Sequence, residues 1–137
     1  MRPDPREEGR RWVDQAHRDL DDARFARDGG RHNLACFLAQ QAAEKALKGF
    51  LYLREEELAR GHSVADLCDR AAKHDPAFAE LRTRAGGLDL YYIPTRYPNG
   101  LPGGLPAEAF DREQADRAIE RAEEVLDLVE AAFGTTG

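Results

Sequence analysis

Residues 34–53 read LACFLAQQAAEKALKGFLYL, the most apolar stretch of the chain. At about 100° per residue, Leu38, Ala42, Ala46, Gly49, Phe50 and Leu53 spread over half a helix circumference. A helix buried that broadly must touch several neighbours. The spacing therefore predicts a helix from about Asn33 to Glu57, near the middle of a bundle. The same stretch carries Gln40, Gln41, Glu44, Lys45 and Lys48 within about 140° of arc. Leu34, Phe37, Leu51 and Tyr52 project from that polar stripe. Large apolar groups among charges suit an interface that mixes anchors and polar contacts. A C2 dimer is accordingly expected to bury Phe37, Leu51 and Tyr52, or else the exposed margin of the last helix. The plain alternative is a solvated face with a weak Glu44–Lys48 pair.

Working outward, a first helix from about Arg6 to Arg27 gathers Trp12, Val13, Ala16, Leu20 and Ala23 on one face. Asp28-Gly29-Gly30 stops it, because glycine tolerates the left-handed C-terminal conformation. A third helix starts at Ser63-Val64-Ala65-Asp66, a capping-box spacing, with Val64, Leu67, Cys68 and Ala71 inward. Asp75-Pro76 restarts the chain as cap and first turn. Phe78, Leu81, Ala85, Leu88 and Tyr92 then recur at helical spacing until Pro94 and Pro98. Ile93 to Phe110 holds four prolines and three glycines and no period, so it reads as one long, functional loop. The last helix, about Asp111 to Phe133, turns Ala118, Ile119, Ala122, Val125, Leu126, Val129 and Phe133 inward, and Gly134 to Gly137 reads as a frayed end.

Composition agrees. The 137 residues suit a single domain spanning residues 1–137, with a core over about 10–133. Only ten are β-branched, too few to fill a sheet, so the fold class is all-α: an up-and-down bundle of about five helices. With 20 Lys+Arg against 26 Asp+Glu, the formal charge of −6 speaks against nonspecific duplex binding. Lysines occur only at 45, 48 and 73, so arginine carries most of the positive charge and a local anion site fits the composition. No run approaches the roughly 18 apolar residues of a membrane span, and the opening MRPDPREEGRR is unlike a signal peptide. Cys36 and Cys68 are expected as reduced thiols in a cytoplasmic protein.

Tyr91-Tyr92-Ile93-Pro94-Thr95-Arg96-Tyr97-Pro98 is the stretch richest in recognition chemistry. Arginine offers a planar fork for phosphate or carboxylate, tyrosine a stacking face with a polar tip, and the flanking prolines limit backbone freedom. The alternative use is structural, with tyrosines in the core and Arg96 on a helix carboxylate. His17, His32, His62 and His74 have no metal-ligand spacing, so no metal and no cofactor is expected. Ser63, the single serine, suits a cap better than a nucleophile.

Three segments together resemble the HEPN domain family: Gln40 to Lys48 (QQAAEKALK), Gly61-His62-Ser63 with Leu67, and Tyr92 to Pro98 (YIPTRYP). The likeness covers about residues 10 to 133. It implies a helical bundle that dimerises, similar to the C-terminal domain of kanamycin nucleotidyltransferase, accompanied by a separate small nucleotidyltransferase and binding a nucleotide. Under that reading Arg96 holds phosphate and Tyr92 or Tyr97 stacks on a base. Lys45 and Lys48 add positive charge, with Glu44 and His62 in the same group. Other members are metal-independent ribonuclease toxins, marked by arginine and then histidine four to six residues on. From Arg96 those positions are Leu101, Pro102 and Gly103, so no catalytic residue is assigned. An RNase of a toxin–antitoxin pair, using Arg96 and His62 and acting on RNA, and a dimeric interaction scaffold are the alternatives.

Overall fold

The computed structural model describes residues 4–56 and 59–135. Its helices are α1 (Pro5–Asp28), α2 (His32–Leu53), α3 (Val64–Ala72), α4 (Ala77–Ala85), α5 (Pro106–Ala109) and α6 (Arg112–Thr135). Two 3-10 segments, Gly86–Tyr91 and Pro98–Gly100, complete the secondary structure, and no strand occurs among the described residues. The chain is all-α, as its composition requires.

Helix α2 is the central rod, packing on α1, α3, α5 and α6. The inward residues expected on the third and last helices are all buried, and so are Val13, Ala16, Leu20 and Ala23 of α1. Trp12, Leu38, Leu53 and Tyr92, expected inward, are only half-buried, and Gln40, Glu44, Lys48 and Leu51 of the expected polar stripe are buried. Two glycines set the tightest contact. A Cβ on Gly49 would lie 2.8 Å from the Gly9 carbonyl oxygen, and one on Gly9 would lie 2.6 Å from that of Gly49. Only glycine lets α1 and α2 approach backbone to backbone here.

The ends of the first two helices repeat one device. After α1, Gly30 takes φ 77° while its N–H and that of Arg31 bond to the carbonyls of Arg27 and Ala26. After α2, Glu55 takes φ 65°, and the N–H groups of Glu55 and Glu56 bond to Tyr52 and Leu51. Both are Schellman closures. The second ends α2 at Leu53 through Glu55; with no glycine to mark it, the pattern extends the helix to Glu57, a residue outside the described ones.

Three further differences concern the second half. The helix expected to run through Tyr92 gives way at Gly86-Gly87 to tighter 3-10 turns. The loop before the last helix contains a 3-10 turn and α5, each opened by a proline at its first position, Pro98 and Pro106. The last helix continues through Gly134 to Thr135, and 136–137 lie outside the described residues. Asp111 and Gln114 cap its start reciprocally, at 2.8 and 2.9 Å.

Cys36 and Cys68 are free and buried. Burial pushes both thiols up to about 12.

Candidate functional site

The segment after the 3-10 turn is folded onto itself. Thr95 is buried; its hydroxyl donates to the Tyr91 carbonyl, and its own carbonyl accepts from Asn33 Nδ2 at 3.0 Å. That bond ties the turn to the first turn of α2. The N–H groups of Arg96 and Tyr97 both bond to the Ile93 carbonyl, at 3.0 and 3.1 Å. Gly100 closes against Pro94, where a Cβ would come within 2.9 Å of Pro94 Cα. Proline, buried threonine and glycine together hold Arg96 in a fixed position.

The Arg96 side chain folds back on its own turn. Nε and Nη2 donate to the Tyr92 carbonyl at 2.9 and 2.7 Å. Its Cζ lies 4.3 Å from the Phe37 ring centre, 4.8 Å from Tyr92 and 5.0 Å from Tyr97. Cation–π contacts of this kind contribute about 0.5–1 kcal/mol each at exposed sites. Rings cover the guanidinium and one edge is bonded, so its remaining donors point outward in plane. Among the described residues no carboxylate pairs with Arg96, which is exposed. It borders a groove of about 400 Å³ with Asn33, Leu34, Pro98 and Leu105.

Behind Tyr92 lies a polar network that runs from exposed His62 to buried Glu44, Gln40 and Lys48. The His62 ring stacks on Tyr92, 4.7 Å between centres and 17° between planes. His62 Nδ1 lies 3.3 Å from both carboxylate oxygens of Glu44. Glu44, 4% exposed, also accepts from Lys48 Nζ at 3.0 Å and Gln40 Nε2 at 3.2 Å. Gln40 Nε2 reaches the His62 carbonyl too, at 3.0 Å. An unpaired carboxylate buried to this depth is strongly unfavourable; the lysine and the amide offset that. Lys48 Nζ in turn lies 5.8 Å from the Trp12 ring, which packs on Tyr52.

The structure thus joins Lys48, Glu44, His62, Tyr92, Arg96 and Tyr97 in one run of contacts. It does not assemble both lysines around Arg96. Lys45 Nζ turns to Asp19 of α1 at 2.5 Å, and Lys48 is engaged with Glu44, so internal carboxylates neutralise both. Leu51, expected at a dimer face, is 0% exposed and belongs to the core. It sits on the α2 flank that faces other helices. Phe37 and Tyr52 remain half-buried. Tyr92 has His62 and Arg96 against its ring, which leaves half-exposed Tyr97 as the available stacking surface.

Sequence spacing missed Asp89. Its carboxylate accepts from Ser63 Oγ at 2.6 Å and from the N–H groups of Val64 and Ala65. Ser63 caps Asp66 N–H at 3.1 Å as expected, but the acid serving the helix start comes from the 3-10 segment rather than from Asp66. A broader groove of about 570 Å³ runs along α1 past Trp12 and Arg18 to Lys45; its walls carry both signs of charge. Among the described residues no helix is long and apolar enough to cross a membrane.

A helical bundle presenting an arginine among aromatic rings defines a small all-α module. The HEPN domain model matches residues 10–132, and the chain belongs to that family. TT1696 from Thermus thermophilus is 40% identical and superposes with a TM-score of 0.84 over 90% of this chain and 97% of its own. ST0689, described as an archaeal HEPN homologue, is 39% identical at TM-score 0.76, covering 92% and 98%. An HEPN domain protein of Thermotoga maritima is 29% identical at TM-score 0.68, covering 90% and 98%. No curated protein matches.

Proposed function

We propose that this protein is a nucleotide-binding HEPN module that works as a homodimer with a separate small nucleotidyltransferase. The supporting observation is Arg96: exposed, without a carboxylate partner among the described residues, and held by a carbonyl and three rings. Its orientation is fixed before a ligand arrives, which lowers the ordering cost of binding. A phosphate on its outward edge gains charge-assisted hydrogen bonds. Tyr97 offers the base a stacking face.

The dimer reading rests on Phe37 and Tyr52 together with an apolar depression at the first turns of α2. Phe25, 82% exposed, and Leu34, 44% exposed, border that depression with Leu38. Calorimetric titration with ATP tests the binding reading, and Arg96→Ala is expected to weaken binding at least about tenfold. Absence of binding by the wild type at millimolar nucleotide overturns it. Co-purification from the native cell is expected to bring down a nucleotidyltransferase.

A further inference from the structure

Where α1 hands over to α2, between Asp21 and Arg31, the charged side chains are paired with two exceptions. Asp21 bonds Arg24, which also holds Glu123, and Arg27 bonds Asp28 and reaches Asp116, at 2.8 to 3.4 Å. Asp22 and Arg31 are exposed, and among the described residues neither side chain has a hydrogen bond or an ion pair. Both line one depression of about 410 Å³, together with the exposed Phe25 and Leu34 and the half-buried Leu38. Gly9 near the start of α1 meets Gly49 near the end of α2, so the two helices run antiparallel. Asp22 stands about 9 Å along the axis from the end of α1 at Asp28, at about 1.5 Å per residue. Arg31 is the cap residue of α2. The carboxylate and the guanidinium are thus anchored at opposite ends of the apolar depression.

Resting on the homodimer reading above, we infer that this depression is the centre of the two-fold interface, with Asp22 of each copy against Arg31 of the other. An isologous contact sets one patch against itself. A two-fold axis passing between Asp22 and Arg31 exchanges the two ends, so one unpaired charge of each sign makes the patch complementary to its own copy. A partner of single charge sign satisfies only one end. Phe25 and Leu34 form the apolar centre. The two ion pairs lie at the margin, where charge fixes register more than it adds affinity. Leu34 also borders the Arg96 groove, so the second copy stands at the edge of that turn.

Charge reversal tests the pairing on the full chain, with Asp22→Arg and Arg31→Asp. Each variant sets like charges together at both margins of its own dimer. Each is expected to dimerise at least about tenfold more weakly than wild type by sedimentation equilibrium. An equimolar mixture of the two restores opposite charges at both margins, and native mass spectrometry is expected to show the mixed dimer in excess over either variant's own. Phe25→Ser, which removes apolar surface without touching charge, is expected to weaken the dimer by a similar factor. Circular dichroism confirms folding; the three positions are exposed, and aspartate is a favoured residue at a helix cap. Wild-type dimers that none of these changes weakens, or reversals that weaken without recovery on mixing, overturn this interface and leave the homodimer reading standing. A wild type that stays monomeric at micromolar concentration overturns both.

Discussion

Gly9 and Gly49 meet face to face where α1 crosses α2, each with its position for a Cβ less than 3 Å from the other's carbonyl oxygen. The Gly49 position also lies 2.6 Å from Val13 Cγ2, so a methyl group there has nowhere to go without parting the helices. Gly49→Ala is expected to destabilise by about 1–3 kcal/mol, the range for overpacking a filled core. Gly134, also helical, has open space around its Cβ position. Gly134→Ala should instead stabilise by up to about 1 kcal/mol, since alanine is the better helix former. Urea melts of both variants decide; a stabilised Gly49→Ala would show that the crossing is looser than described.

Glu55 occupies the place in its helix closure that Gly30 fills in the other. A side chain held at φ 65° carries a steric penalty of about 1–2 kcal/mol that glycine avoids. Glu55→Gly is expected to raise the melting temperature although it removes a side chain and adds chain entropy to the unfolded state. A fall in melting temperature would mean that the glutamate side chain contributes more than its backbone strain removes.

Asp89 fastens the 3-10 segment to the start of α3. Asp89→Ala strips acceptors from two N–H groups and one hydroxyl, and a loss of about 1–2 kcal/mol is expected, as for a deleted N-cap. Asp66→Ala should lose less. Hydrogen exchange provides the readout: faster exchange is expected at the first turn of α3 in the Asp89 variant, with α6 unaffected.

Arg10 holds Glu130 by two bonds of 2.7 and 2.6 Å, and His17 adds a third at 2.7 Å, bridging α1 to α6. The hydrogen bonds from Arg10, with His17 adding to them, pull the Glu130 carboxyl down to about 2. A carboxyl lowered on folding stabilises above its unfolded value, near about 4.3, and that contribution is lost as pH falls toward its folded value. Glu130→Gln is therefore expected to be less stable than wild type at pH 7, by about 1 kcal/mol once solvent screening is allowed for. The two melting temperatures should converge as pH approaches 2. A gap that persists undiminished in acid would assign the effect to shape rather than charge.

Light scattering at micromolar concentration is expected to give twice the 15.3 kDa chain mass. A monomer would leave Phe25 and Phe37 without the apolar partner surface proposed for them.

The helices were legible because each buries a continuous stripe, and a stripe of large apolar residues is a local pattern. Legibility failed where the controlling partner is distant in sequence. Nothing around Lys45 announces that it pairs with Asp19, because that depends on the register of α1 against α2. Asp89 lay within a helical pattern, and only the break at Gly86-Gly87 turns it toward Ser63. The end of α2 was overrun because a glutamate does the work usually signalled by glycine. Arg96, Tyr97 and His62 were found as residue types; the network that joins them through Tyr92 and Glu44 required the tertiary structure. Leu51 failed for a simpler reason: α2 is buried on more of its circumference than a surface helix, so a leucine beside the polar stripe still faces a neighbour.

Both native thiols are shut inside the bundle and held protonated at neutral pH. A cysteine introduced at exposed Asn99, three residues beyond Arg96, would then be the sole group to react with a maleimide dye. The protein comes ready for single-site fluorescent labelling without first mutating its own cysteines, so ligand arrival at the turn can be followed by emission in real time.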